Sequence, residues 1–96
     1  MKMSSHACHR AQQRGIPPLI VDWLDLYGEE THDHHGAVIH HFTKKSRRKL
    51  EKSVGREPVR KMDQWLAAYI VRSMFDGAIL TVGHRWKPLK HRGRRE

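Results

Sequence analysis

The chain has 96 residues, of which 38% are hydrophobic and 30% are charged, and its formal net charge is +9. This length allows one domain with a modest core and excludes two. Residues 1–33 carry three Lys/Arg and five Asp/Glu, whereas residues 34–96 carry sixteen and five. The positive charge of the second part indicates a polyanionic partner.

The start of the chain and its single cysteine bear on the compartment. Met-Lys-Met-Ser-Ser is not followed by an apolar segment, and no apolar run approaches the about 18 residues of a membrane span. Cys8 has no second cysteine to pair with and is interpreted as a small buried residue. We therefore expect a cytoplasmic protein with no membrane partner.

The first predicted helix covers most of Ser5 to Ile16, with Ser4 or Ser5 as its N-cap and Gly15 at its end. His6, Arg10 and Arg14 recur every four residues and form one stripe on the helix, next to an apolar stripe of Met3, Ala7 and Ala11. An imidazole and two guanidinium groups in line favour an anion as ligand. The alternative is an ordinary solvated face of an amphipathic helix.

A second helix follows at once, because Pro17 and Pro18 suit a first helical turn and Gly28 suits a helix end. The two helices form an αα-hairpin. Residues 29–36 are polar and without periodicity, and they are predicted to be a loop. Residues 36–42 are predicted to be a strand, in which His40 and His41 point to opposite faces, so that one of them points to the core.

The second half of the chain predicts two further helices and a hairpin. Thr43 is an N-cap for a helix that ends at Val54 and Gly55, and Pro58 opens a short fourth helix. Residues 68–74 and 78–86 read as strands joined by Phe75-Asp76-Gly77. In the last strand we expect Leu80, Val82, His84 and Trp86 to share one face, and Ile79, Thr81, Gly83 and Arg85 the other.

These elements predict an α+β fold with an N-terminal αα-hairpin, two further helices and a small antiparallel sheet of about three strands. The single domain is expected to span residues 1–86, followed by a basic C-terminal tail at residues 87–96. The third helix and the tail supply candidate phosphate-binding cations. They are Lys44, Lys45, Arg47, Arg48, Lys49, Lys52, Lys87, Lys90 and Arg92.

Two stretches resemble a family of small bacterial proteins. The string His6-Ala7-x-x-Arg10-x-x-x-Arg14-Gly15-Ile16 is similar to that family's N-terminal signature, and ILTVGHR at residues 79–85 resembles its final strand. The family is grouped with the barnase, EndoU, colicin and RelE-like ribonuclease folds. The resemblance implies a RelE-like fold and toxins that cleave RNA without a metal.

Metal-free RNA cleavage needs a base, an acid and fixed cations around the reacting phosphate. His6 and His84 are the candidate acid and base, with their roles left open, and Arg10, Arg14 and Arg85 are the candidate charge stabilisers. The alternative for His84 is a half-buried strand residue that is bonded to a backbone carbonyl.

The loop histidines suggest a different chemistry. His32, His34 and His35 surround Asp33, and imidazole is a common ligand of zinc, nickel and copper. The spacing matches no ordinary zinc pattern, so a polar loop is preferred and no metal or other cofactor is predicted.

We therefore expect a metal-independent endoribonuclease of the RelE-like toxin type. Its partners would be RNA, free or bound to the ribosome, and an acidic antitoxin, and its oligomeric state is left open. The alternatives are a non-catalytic nucleic-acid-binding module, or an accessory that binds an acidic protein partner.

Overall fold

Helices and strands succeed one another in an α+β arrangement, which the computed structural model describes for residues 2–84. The helices are α1 Ser5–Gln13, α2 Pro18–Tyr27, α3 Lys44–Val54 and α4 Arg56–Lys61, followed by a 3₁₀ turn at Asp63–Trp65. The strands are β1 Glu29–His32, β2 Ala37–His41, β3 Tyr69–Ser73 and β4 Ile79–Gly83. The predicted α+β class and its four helices are confirmed, whereas the sheet has four strands and not about three.

The first two helices begin and end at the predicted residues. The hydroxyl of Ser4 accepts the backbone N–H of Ala7 at 3.0 Å, which satisfies one of the free donors of α1. Gly15 follows α1 with a φ of +64°, which glycine adopts without strain. Pro17 and Pro18 open α2, where their missing N–H groups cost nothing.

The sheet has four strands in the order β1–β2–β3–β4, and each neighbouring pair is antiparallel. The prediction of a loop over residues 29–36 is therefore wrong, because Glu29–His32 pairs with β2 from His41 back to Val38. All four residues of β1 are polar and exposed. An edge strand of this kind is held by backbone hydrogen bonds, so it lacks the apolar alternation by which a strand is recognised in a sequence.

The last strand also departs from its prediction. Val71 pairs with Thr81 and Arg72 with Ile79, so that Leu80 is an extra residue in a β-bulge. The bulge puts Ile79 and Val82 in the core and leaves Leu80 41% exposed. The predicted shared face of Leu80 and Val82 is wrong, because strict alternation does not continue through a bulge. Trp86 and the tail lie outside the described residues.

The two middle helices confirm one prediction and correct another. Thr43 and Ser46 form a reciprocal capping box at the start of α3, and Gly55 ends that helix. The fourth helix begins at Arg56, two residues before Pro58, and ends at Lys61. Its apolar spacing continues through the 3₁₀ turn, so Leu66 is buried although it lies outside α4.

The core lies between the helices and one face of the sheet. We call this face the inner face; it presents Val38, His40, Ile70 and Val82, all buried. The opposite face is called the outer face and presents Ile39, His41, Tyr69, Val71 and Thr81, all half-buried. Cys8 is exposed, so its interpretation as a buried residue is wrong. Among residues 2–84, no helix combines the length and apolar character needed to cross a membrane.

Candidate active site and nucleic-acid interface

The His6, Arg10 and Arg14 stripe lies on the surface of α1. Ala7 is fully buried between the helix and the sheet, whereas His6 and Arg14 are exposed and Arg10 is half-buried. Within residues 2–84, none of these three side chains makes a hydrogen bond or an ion pair to another side chain. Their charged and polar groups are therefore available to a ligand.

The neighbours of α1 determine which way the stripe faces. The helix packs against β4, and a groove lined by Cys8, Gln12 and Val21 separates it from α2. Because successive helical residues are about 100° apart, His6 and Arg10 lie on the flank opposite to Cys8 and Gln12. This flank faces away from α2, towards the outer edge of β4.

The start of α1 is fixed to the start of β4. Met3 forms a parallel bridge with Ile79, and the hydroxyl of Ser4 donates to the carbonyl oxygen of Leu80 at 3.1 Å. His6 therefore lies near the beginning of the strand. His84 follows Gly83, the last residue of β4, and is exposed. At the rise of an extended chain it lies about 16 Å from Ile79.

The two candidate histidines thus lie at opposite ends of β4. Arg10 and Arg14 follow His6 on α1, which starts beside Ile79 and packs on β4. Arg85, the third candidate guanidinium, is outside the described residues.

Six of the candidate phosphate-binding cations lie on α3. All six cations of this helix are exposed, and among residues 2–84 none of them is in an ion pair. They are Lys44, Lys45, Arg47, Arg48, Lys49 and Lys52. Lys87, Lys90 and Arg92 lie outside the described residues. The surface can hold several phosphates without first breaking an ion pair.

A cleft of about 460 Å³ lies between α3 and α4. It is lined by three arginines and three acids, together with Val59 and Leu66: Arg47, Arg56, Arg60, Glu51, Glu57 and Asp63. Arg60 is paired with Glu57. The mixture of charges makes this cleft a poorer anion site than the exposed face of α3.

The histidine loop is the turn between β1 and β2. One carboxylate oxygen of Asp33 accepts the backbone N–H groups of His35 at 2.7 Å and Ala37 at 3.0 Å, and these bonds hold the pKa of Asp33 below its ordinary value. His32, His34 and His35 are exposed around it. Within residues 2–84, no group of three or more His, Cys, Asp or Glu side chains is arranged to hold a metal ion.

A polar cluster that was not predicted lies where α2 meets the sheet. His40 is 1% exposed, and its ring nitrogens contact the carbonyl oxygen of Leu24 and the guanidinium of Arg72. Arg72 also lies 3.9 Å from Asp25 and 3.7 Å from Glu30. The sequence signal was partial: His40 or His41 had to face the core, but nothing indicated that Arg72 would face it.

Comparison with known proteins adds no relative. No family model matches the chain, and neither a curated protein nor a solved structure does.

Proposed function

We propose that this chain is an RNA-directed cytoplasmic protein and, within that class, a metal-independent endoribonuclease of the RelE-like toxin type. The observation that carries the proposal is the stripe of α1 at the outer edge of β4, in which His6 and Arg14 are exposed and Arg10 is half-buried, with His84 at the end of that strand. The site is open, as a site for a long polymer must be.

The fold supports a RelE-like assignment in two ways. Two N-terminal helices pack on one face of an antiparallel sheet whose strands follow one another in sequence order. The two stretches that carry the family resemblance become α1 and β4, which pack against each other. Two stretches from opposite ends of the described chain thus lie side by side.

The chemistry would be a transesterification within the RNA. The ribose 2′-hydroxyl loses its proton, its oxygen bonds to phosphorus, and the bond from phosphorus to the 5′-oxygen breaks as that oxygen gains a proton. Arg10 and Arg14 would stabilise the extra negative charge on the phosphate oxygens. Because β4 separates His6 from His84, we assign only one histidine to the reacting phosphate and the other to a neighbouring phosphate.

We assign His6 to the neighbouring phosphate and His84 to the reacting phosphate. This residue would exchange one of the two protons, and solvent would exchange the other. The partners of the proposed enzyme are RNA, free or on the ribosome, and an acidic antitoxin that would bind the basic surface.

A second candidate is a non-catalytic nucleic-acid-binding module. The cations of α3 favour it, since they are exposed and make no ion pair within residues 2–84, and phosphate binding needs only positive charge. Cleavage in addition needs a group that transfers protons, so the two candidates differ in what the histidines do. An accessory that binds an acidic protein partner would use the same cations.

The test is incubation of purified protein with single-stranded RNA in EDTA, followed by analysis of the product ends. The ribonuclease proposal predicts 2′,3′-cyclic phosphate ends. Binding without any cleavage of free or ribosome-bound RNA would favour the binding module. Absence of RNA binding at low salt would leave the acidic protein partner.

A further inference from the structure

Strand β1 has a neighbouring strand on one side only. Within residues 2–84 the sheet ends at β1, which pairs with β2 and with no other strand. All four of its residues, Glu29–His32, are exposed. The second side of an edge strand carries backbone N–H and C=O groups that can pair with the strand of another chain.

The outward backbone groups of β1 belong to Glu30 and His32. The N–H of Asp33 donates to the carbonyl oxygen of Ala37, in register with the β1–β2 ladder. In an antiparallel strand the N–H and C=O of one residue point to the same side, and the side alternates along the chain. Thr31 therefore faces β2 like Asp33, whereas Glu30 and His32 point their N–H and C=O groups away from the sheet.

This alternation determines how a second copy of β1 would pair with the edge. Antiparallel strands pair outward residues with outward residues. A two-fold axis at Thr31 places Glu30 opposite His32 of the second copy, so every outward N–H and C=O of both residues is hydrogen-bonded. An axis at Glu30 would instead place two carboxylates opposite each other. An axis at His32 would need an extended backbone at His34, whose φ is +62°.

The side chains at this edge are complementary to those of a second copy. Oε2 of Glu30 lies 3.7 Å from Arg72 and 3.9 Å from His40 of its own chain. Within the described part of the chain, Oε1 of the same carboxylate has no hydrogen bond or ion pair. An imidazole N–H of His32 from the second copy can donate to this oxygen. Edge charges of one sign would repel a second copy, whereas Glu30 and His32 attract each other across the axis.

Glu29 and Asp33 fall opposite each other at the two ends of this register. The carboxylate of Glu29 accepts the hydroxyl of Thr43 at 3.2 Å. The carboxylate of Asp33 accepts two backbone N–H groups of the turn between β1 and β2, at 2.7 and 3.0 Å. Because both carboxylates are held by their own chain, they oppose the pairing less than two unbonded carboxylates would.

We propose that this chain forms a two-fold symmetric dimer through β1, in which Thr31 of one copy lies opposite Thr31 of the other. The two four-stranded sheets then form one continuous sheet, with the helices of both copies on the same face. The inference goes beyond the RNA-directed function proposed above and does not depend on it.

Sedimentation velocity of the unaltered chain measures this association directly. With increasing protein concentration, the mass should rise from 11.3 kDa towards twice that value. His32→Pro removes an outward N–H that β2 does not use, so the variant should fold. It should self-associate at least about tenfold more weakly, because each copy loses a backbone hydrogen bond to the other. An unaltered chain that stays monomeric would overturn the dimer, and a folded His32→Pro variant that associates like wild type would exclude β1 as the interface.

A disulfide cross-link tests the position of the axis. Opposite residues without hydrogen bonds between them have Cα atoms about 4.5 Å apart in an antiparallel pair, which is within reach of a disulfide. Thr31→Cys, combined with Cys8→Ser, should therefore form a covalent dimer under mild oxidation. The matched control Glu29→Cys with Cys8→Ser lies on the same edge, but its two Cα atoms would be about 14 Å apart, so it should not cross-link. Absence of the cross-link at position 31, or equal cross-linking at both positions, would overturn the two-fold register.

Discussion

Arg72 donates hydrogen bonds from Nε and Nη2 to Nε2 of His40, at 3.2 and 3.0 Å. The other ring nitrogen of His40, Nδ1, lies 2.9 Å from the carbonyl oxygen of Leu24. A carbonyl only accepts and a guanidinium only donates, so His40 is the neutral tautomer with its proton on Nδ1. This arrangement connects the last turn of α2 to the centre of the sheet.

Removal of Arg72 should destabilise the fold. Arg72→Met leaves Nε2 of a buried imidazole without a donor, which costs about 1–3 kcal/mol of unfolding free energy. Urea denaturation measures this loss. The double variant Arg72→Met with His40→Leu should lose less unfolding free energy than the two single variants lose together, because the pair acts as one unit. Strict additivity would show that the hydrogen bond between them contributes nothing.

The sequence predicted those parts of the fold that local chemistry specifies. The cap of α3 at Thr43, its end at Gly55 and the turn at Phe75-Asp76-Gly77 each depend on residues within a few positions, and the structure confirms them. Strand β1 was missed because its polar residues are held by the backbone of β2. The Leu80 bulge was missed because it depends on the partner strand.

The candidate site also has a part that the sequence predicts and a part that it does not. The exposed stripe on α1 follows from four-residue spacing, so it could be predicted. The separation of His6 from His84 could not, because it depends on where α1 begins along β4. The Arg72 and His40 pair links residues 32 positions apart, which no local pattern indicates.

RNA affinity should fall steeply with salt. If six to eight phosphates of a single strand are neutralised, the slope of log affinity against log salt is about −4 to −6. The triple variant Lys45→Gln, Arg48→Gln and Lys49→Gln should reduce the steepness by about 2. A fluorescence anisotropy titration at several salt concentrations measures both slopes.

A control variant removes three positive charges from residues outside α3. Lys2→Gln, Arg60→Gln and Lys61→Gln lie outside α3, and Lys2 and Arg60 are paired with Asp76 and Glu57. This variant should change the slope by less than about 1. Equal changes in the two triple variants would show that α3 is not the phosphate-binding surface.

The two histidines should contribute unequally to cleavage. His84→Ala should lower kcat by about 10² to 10⁴, the usual contribution of a positioned acid or base. His6→Ala should act mainly on KM, because it contacts a neighbouring phosphate in our assignment. Steady-state kinetics on one RNA substrate separate the two effects, and a larger loss of kcat in His6→Ala would reverse the assignment.

Arg14→Lys tests the role of the guanidinium. Lysine keeps the charge but loses the planar pair of donors that matches a phosphate. The variant should therefore lose turnover while its affinity for RNA changes little. A matching loss in affinity and turnover would make Arg14 a binding residue only.

The loop histidines should be dispensable. Replacement of His32, His34 and His35 with Ser changes only exposed side chains, so the free energy of unfolding should stay within about 0.5 kcal/mol. Thermal denaturation with and without chelator measures this. A stoichiometric metal in the purified protein, lost together with stability in the variant, would show a metal site in the loop.

We propose above that this chain cleaves RNA through the RNA's own 2′-hydroxyl. The most direct measurement uses a DNA oligonucleotide that contains a single ribonucleotide, incubated with the protein in EDTA. The ribonuclease proposal predicts one cut, on the 3′ side of the ribonucleotide, with a 2′,3′-cyclic phosphate product and a large loss of cleavage in His84→Ala. A cut in the all-DNA control, or binding without a cut in this substrate and in ribosome-bound RNA, would contradict it.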